Sequence, residues 1–378
     1  MARSSRPLKA RRTGAQTKVA FVYPNSRIGL AADVASGTGA DSFLLGQNHL
    51  RNFGFEAYIH EPRLNAPGET GIVHRVRWNL REALIPWELE DADIVVSTLA
   101  NLLPASAKLR RRPHTVILDF ALSTLLDRRR GLMRHVFRSS LESAAAIVCL
   151  STTQRVRLLE RVALDPARVH VVPLGIDHEF LRPRDQYQSA DPFVLAVGKD
   201  LARDYQTLAN AAATMDVRFI VVTEPRNTRG VAFPANVQIW SGMSYSQLRD
   251  LYASAACVVL PLRRADYLYG TESSGLTALM EGMAMARPLV ASDRPIIHEY
   301  VTDSDTALVV PAEEPEVLAA AIDRILAEPE LACRLGIAAR ASIERRHTMS
   351  QFAAGLAGVF AQVAGLETQE LASTTCRA

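Results

Sequence analysis

Gly270-Thr-Glu-Ser-Ser-Gly-Leu-Thr-Ala-Leu-Met-Glu-Gly-Met-Ala-Met-Ala-Arg-Pro288 is the stretch that decides the fold. A short polar loop with two glycines runs straight into an apolar helical pattern over 275–285, which Pro288 stops. The runs Cys257-Val-Val-Leu260 before it and Leu289-Val-Ala291 after it are short and uninterrupted, as strands buried on both faces of a parallel sheet are. Strand, loop, helix, strand is the repeating unit of an α/β domain. The unit recurs upstream, with strands at 193–197, 218–222 and 237–240 and helices at 204–215 and 245–254, the latter with Ser244 as its N-cap. It recurs downstream as a strand at 307–310 and a helix at 315–327. Residues 193–337 therefore read as one doubly wound α/β domain.

The pattern is repeated nearer the N-terminus. Lys18-Val-Ala-Phe-Val-Tyr-Pro24 reads as a buried strand, followed by a loop containing Ser36-Gly-Thr-Gly-Ala-Asp41. A helix is expected over 42–53, ended by Gly54, and strands at 55–60, 94–97, 115–118, 146–150 and 169–172. Residues 17–180 form this first domain, 181–192 a linker, and 338–364 one long helix, with tails at 1–16 and 365–378. The fold class is α/β, with two Rossmann-like doubly wound domains facing a cleft. Ligands favour such interfaces and the carboxyl ends of the strands.

A chain of 378 residues, 48% apolar, can bury a core in each half. Its net charge of +3 singles out no class of partner, and no nucleic-acid partner is expected. Cys149, Cys257, Cys333 and Cys376 lie far apart without metal spacing, which fits a reducing, cytoplasmic setting. No apolar run approaches the roughly 20 residues that span a bilayer, and residues 1–16 lack the apolar core of a secretory signal. Arg3, Arg6, Lys9, Arg11 and Arg12 make that segment either a solvated tail or an anchor for anionic lipid. A second basic region, Arg128 to Arg130 with Arg134 and Arg138, interleaves with Leu132, Met133, Val136 and Phe137. It reads either as an amphipathic helix on the inner face of a membrane or as a core-facing helix with a solvated basic face.

The chemistry concentrates in the second domain. Gly198, at the end of a strand, permits a sharp turn, and Lys199 and Arg203 beside it suit a diphosphate. Ser274, Gly275, Leu276 and Thr277 open a helix, where free N–H groups and the helix dipole favour an anion. Glu272 precedes that helix. Glu281 lies within it, on an apolar stretch where a carboxylate needs a partner such as a ribose diol. Gly242 and Met243 form a turn where a planar base can be read by backbone groups. In the first domain, Gly37 and Gly39 with Asp41 form a glycine-rich loop that lacks the full dinucleotide fingerprint.

The sequence resembles the retaining nucleotide-sugar glycosyltransferases of the GT-B fold, in particular glycosyltransferase family 4. The resemblance covers most of 169–326 and rests on the order and spacing of several pieces. They are Val172-Pro-Leu-Gly-Ile-Asp177, Val197-Gly-Lys199 with Arg203, the 244–261 block, the Glu272-to-Glu281 segment, Pro295-Ile-Ile-His-Glu-Tyr-Val301 and Val309-Val-Pro311. It implies that Lys199, Arg203 and the helix start hold the donor diphosphate, that Glu281 binds the ribose, and that Glu272 lies near the transferred sugar. It implies no metal, no cofactor beyond the nucleoside-diphosphate sugar, and a C-terminal helix that crosses back to the first domain. The acceptor, whether saccharide, lipid-linked sugar or small molecule, is not indicated. Two departures stand out. Family glutamates have seven residues between them, but Glu272 and Glu281 have eight, so the family spacing counted back from Glu281 lands on Ser273. The first domain offers Asp119 where many members carry a histidine. Asp41 and Asp119 are the candidate bases if transfer inverts instead. The alternatives are an epimerase or phosphorylase on the same fold, or a nucleotide-sugar-binding protein with a decayed site. Donor-dependent release of nucleoside diphosphate separates them.

Overall fold

The computed structural model describes residues 16–62, 72–98, 100–183 and 191–366. The basic segment 3–12, the end of the C-terminal tail with Cys376, and linker residues 184–190 lie outside the described residues. The described residues form two six-stranded, all-parallel sheets. The first comprises β1 (Thr17–Val22), β2 (Phe55–Ile59), β3 (Ile94–Ser97), β4 (His114–Asp119), β5 (Ala146–Cys149) and β6 (Val169–Val171), in the order β2-β1-β3-β4-β5-β6. The second comprises β7 (Phe193–Val197), β8 (Arg218–Val222), β9 (Val237–Trp240), β10 (Cys257–Leu260), β11 (Leu289–Ser292) and β12 (Leu308–Val310), in the order β12-β11-β10-β7-β8-β9. β1, β3, β4 and β5, like β7, β8, β10 and β11, are buried almost throughout, which explains their uninterrupted Val/Ile/Leu runs.

Two helical expectations need correction. The helix expected over 42–53 is a pair of 3₁₀ segments, Asp41–Leu44 and Gln47–Phe53, broken where Leu45 and Gly46 take left-handed backbone. Gly46 also lies close against the last helix: a Cβ there would stand 3.3 Å from the Ala353 methyl. A true helix, Ile28–Ala35, forms inside what reads as loop. The helix expected over 338–364 is two helices, Pro329–Arg346 and Met349–Ala364. Thr348 and Gln351 form a capping box that starts the second one.

That last helix leaves the second domain and packs on the first. Phe360 meets Phe55 edge to face at 5.8 Å, and a Cβ on Gly355 would be 2.5 Å from Val172. Polar contacts also tie the domains along one side. Glu299 accepts from the N–H groups of Thr152 and Thr153 (2.6 and 2.9 Å), and Tyr300 donates to the Leu150 carbonyl (2.7 Å) while accepting from the Leu174 N–H.

Candidate functional site

The strand order of the second sheet reverses between β7 and β10, and a cavity of about 500 Å³ opens at the carboxyl edge there. Gly198, Lys199 and Arg203 after β7, Thr223 after β8, and Gly242, Met243 and Tyr245 after β9 line it. So do Ser273, Ser274, Gly275, Thr277 and Glu281 after β10, and Phe43 reaches in from the first domain.

Gly198 is required by its neighbour. A Cβ there would stand 1.9 Å from Arg203 Nε and 2.4 Å from Cζ, because the Arg203 side chain lies flat across the turn. Tyr205 and Thr223 hydroxyls both donate to the Gly198 carbonyl (2.7 and 2.6 Å) and hold the turn in place. The Arg203 guanidinium is buried, donates from Nε to Asp200 Oδ2 at 2.9 Å, and leaves Nη1 without a hydrogen-bond partner among the described residues. Lys199 is exposed, with Nζ 3.2 Å from Glu224 Oε1. A buried, half-neutralised guanidinium next to an exposed lysine is a site built to receive an anion.

Gly275 is the N-cap of helix Leu276–Ala284 and takes φ 86°, a left-handed conformation pressed against the Leu260 and Leu262 side chains. The helix start, with Thr277, faces the cavity. Leu276 is a correction: its N–H bonds to the Ser273 carbonyl (3.1 Å) and its side chain is buried away from the cavity. Glu281, on the helix's second turn, accepts from Tyr245 (2.6 Å) and Tyr252 (2.8 Å). Burial raises its pKa; the two hydroxyls and Arg203 only partly offset this. A carboxylate has about four acceptor sites, so two tyrosines leave room for a diol.

Glu272 does not line the cavity. Its Oε1 lies 2.9 Å from Arg157 Nε and its Oε2 3.5 Å from Thr124 Oγ1, both groups of the first domain. Ser273 takes the cavity-facing place, with Oγ donating to the Phe120 carbonyl at 2.7 Å. The reason is tertiary: the first domain supplies a cation where Glu272 emerges. Asp119 is also outside the cavity. It accepts from the Leu122 N–H (2.8 Å), and burial raises its pKa to about 7, with Glu272 adding to the rise. Asp41, Gly37 and Gly39 line a different cavity of about 420 Å³, together with His49, Asp177 and Phe180. Asp41 accepts there from Asn48 (2.8 Å) and contacts His49 Nε2 at 2.5 Å.

Sequence reasoning missed Tyr245, Tyr252, Arg157 and Phe43. The two tyrosines are seven residues apart on one helix, hence on one face, and that signal was legible. Nothing in the sequence pairs Arg157 with Glu272, 115 residues away.

Residues 231–342 match the family Glycosyl transferases group 1, and residues 34–180 match Glycosyltransferase Family 4. Among curated proteins, the alpha-D-kanosaminyltransferase of Streptomyces kanamyceticus is 26% identical over 251 residues, 60% of this chain and 62% of that protein. The chain spans less than two thirds of the length of the curated relatives it matches. Among solved structures, sucrose-phosphate synthase from Thermosynechococcus elongatus aligns with a TM-score of 0.71 at 17% identity, covering 93% of this chain and all of that one. Anabaena Alr3699/HepE in complex with UDP-glucose aligns with a TM-score of 0.67 at 12% identity, covering 91% and 99%. The fold is GT-B.

Proposed function

The chain belongs to the group 1 glycosyltransferases, and on that premise we propose that it moves a sugar from a nucleoside-diphosphate sugar to an acceptor with retention of anomeric configuration. The observation that carries this reading is the cavity at the strand-order reversal, where a buried Arg203, an exposed Lys199, a helix start and Glu281 converge. A nucleoside diphosphate matches that set: phosphates toward Arg203, Lys199 and the N–H groups of Gly275 and Thr277, ribose on Glu281, base at the Gly242–Met243 turn. A protein of the same fold solved with UDP-glucose supports the donor class.

In this reading Arg203 and the helix start stabilise the charge that develops on the departing diphosphate, so that no metal is needed for it. Retention follows if the departing phosphate oxygen takes the acceptor's proton on the face it leaves. Ser273, rather than Glu272, sits next to the transferred sugar, since Glu272 is held by Arg157. A donor panel tests the function by measuring acceptor-dependent release of nucleoside diphosphate, with proton NMR of the fresh product. Release from one class of donor and an α-linked product from an α-linked donor are expected. No nucleotide binding or release across the panel refutes the reading, and a β-linked product refutes retention.

A further inference from the structure

Helix Gly131–Ser143 carries more apolar side chains than it packs. Phe137 and Leu141 are buried with Leu122 and Leu126 in the first domain's core. Leu132 and Met133, on its first turn, are 75% and 54% exposed and outside that core. Arg128, Arg130 and Arg134 surround them, all exposed, and among the described residues no carboxylate pairs with these three. Arg138 further along is different, because it is paired with Glu142 at 3.0 Å.

The second domain continues the patch. Arg128 Nε donates to the Leu268 carbonyl at 3.1 Å, and its guanidinium lies 5.0 Å from the Tyr269 ring centroid. Leu268 and Tyr269 are themselves 56% and 53% exposed. Large apolar side chains from both domains thus stand out of the surface beside arginines that no carboxylate among the described residues neutralises. Protruding apolar tips flanked by cations match one environment well: the boundary of a bilayer, with acyl chains below anionic headgroups. A purely polyanionic partner leaves the apolar tips without a role. Among the described residues no helix is long and apolar enough to cross a membrane, so the contact is at the surface.

We propose that this patch docks the protein on an anionic lipid bilayer, with Leu132 and Met133 entering the headgroup boundary and Arg130 and Arg134 contacting the headgroups. The inference stands apart from the transferase reading. Its test is co-sedimentation of the full chain with phosphatidylcholine vesicles and with vesicles that also contain phosphatidylglycerol. Wild type is expected to bind the anionic vesicles selectively, and less as salt is raised. Arg130→Ser with Arg134→Ser should weaken that binding roughly 25-fold, about five-fold per arginine. Leu132→Ser with Met133→Ser should weaken it roughly ten-fold. Thermal melts and nucleoside-diphosphate affinity should stay at wild-type values in both, which shows that fold and nucleotide site are intact. Equal binding to both vesicle types, or none, overturns the proposal from wild type alone. The basic segment 3–12 is present in every variant, so binding held by that segment appears as an unaffected arginine variant and also overturns it. Loss in the arginine variant without loss in the Leu132/Met133 variant overturns the inserted geometry.

Discussion

Gly198→Ala should damage nucleotide binding without removing any group that touches the nucleotide. The added methyl would sit 1.9 Å from Arg203 Nε and 2.4 Å from Cζ, far inside the roughly 3.5 Å at which non-bonded heavy atoms rest. The backbone cannot yield easily, because Tyr205 and Thr223 hold the Gly198 carbonyl at 2.7 and 2.6 Å and the residue directly follows a central strand. The Arg203 side chain must therefore swing out of its buried place and off Asp200. A charge-assisted hydrogen bond contributes roughly 1.5–3 kcal/mol, so the dissociation constant for the cognate nucleoside diphosphate should rise about 10- to 150-fold. Arg203→Ala should cost about the same. The double variant should be little worse than either single one, since both remove one contact. Isothermal titration calorimetry on the three variants reads this directly. Wild-type affinity in Gly198→Ala, or additive losses in the double variant, would refute the claim that Gly198 acts by making room for Arg203.

Glu281→Gln should raise the donor Michaelis constant more than it lowers turnover at saturation, because a ribose contact serves ground and transition states alike; initial-rate kinetics check this. Tyr252→Phe leaves Glu281 Oε2 without its 2.8 Å hydroxyl partner and should lower stability by roughly 1–3 kcal/mol in urea unfolding. Asp119 titrates near pH 7 when folded, so the folded chain keeps a proton that the unfolded chain releases at ordinary carboxylate pH. Wild-type stability should therefore fall relative to Asp119→Asn as pH rises through that interval, from about 4 to about 7. The change should reach at most about 4 kcal/mol. A pH-independent difference between the two proteins in urea melts would place the Asp119 pKa back in the normal range.

The alternation of short buried runs with amphipathic helices follows from local constraints, namely backbone hydrogen bonding and side-chain periodicity. It was enough to place both parallel sheets, the capped helix at Ser244 and the loop-to-helix turn at Gly275. The glycine before Lys199 and the buried carboxylate at Glu281 were legible for the same reason, since each breaks a local rule that a ligand can repair. The break at Thr348 was also written locally, as a capping box, and went unread. Contacts across the cleft were not legible. Whether Glu272 or Ser273 faces the cavity depends on Arg157 and Thr124, which belong to the other domain. The close packing of Gly46 against Ala353 depends on a helix that begins 303 residues later. Asp119 owes its raised pKa to burial beneath neighbours distant in sequence. Periodicity and capping act over a few residues of chain. Charge pairing, steric exclusion and desolvation act over a few ångströms of space, and only the tertiary structure brings those ångströms together.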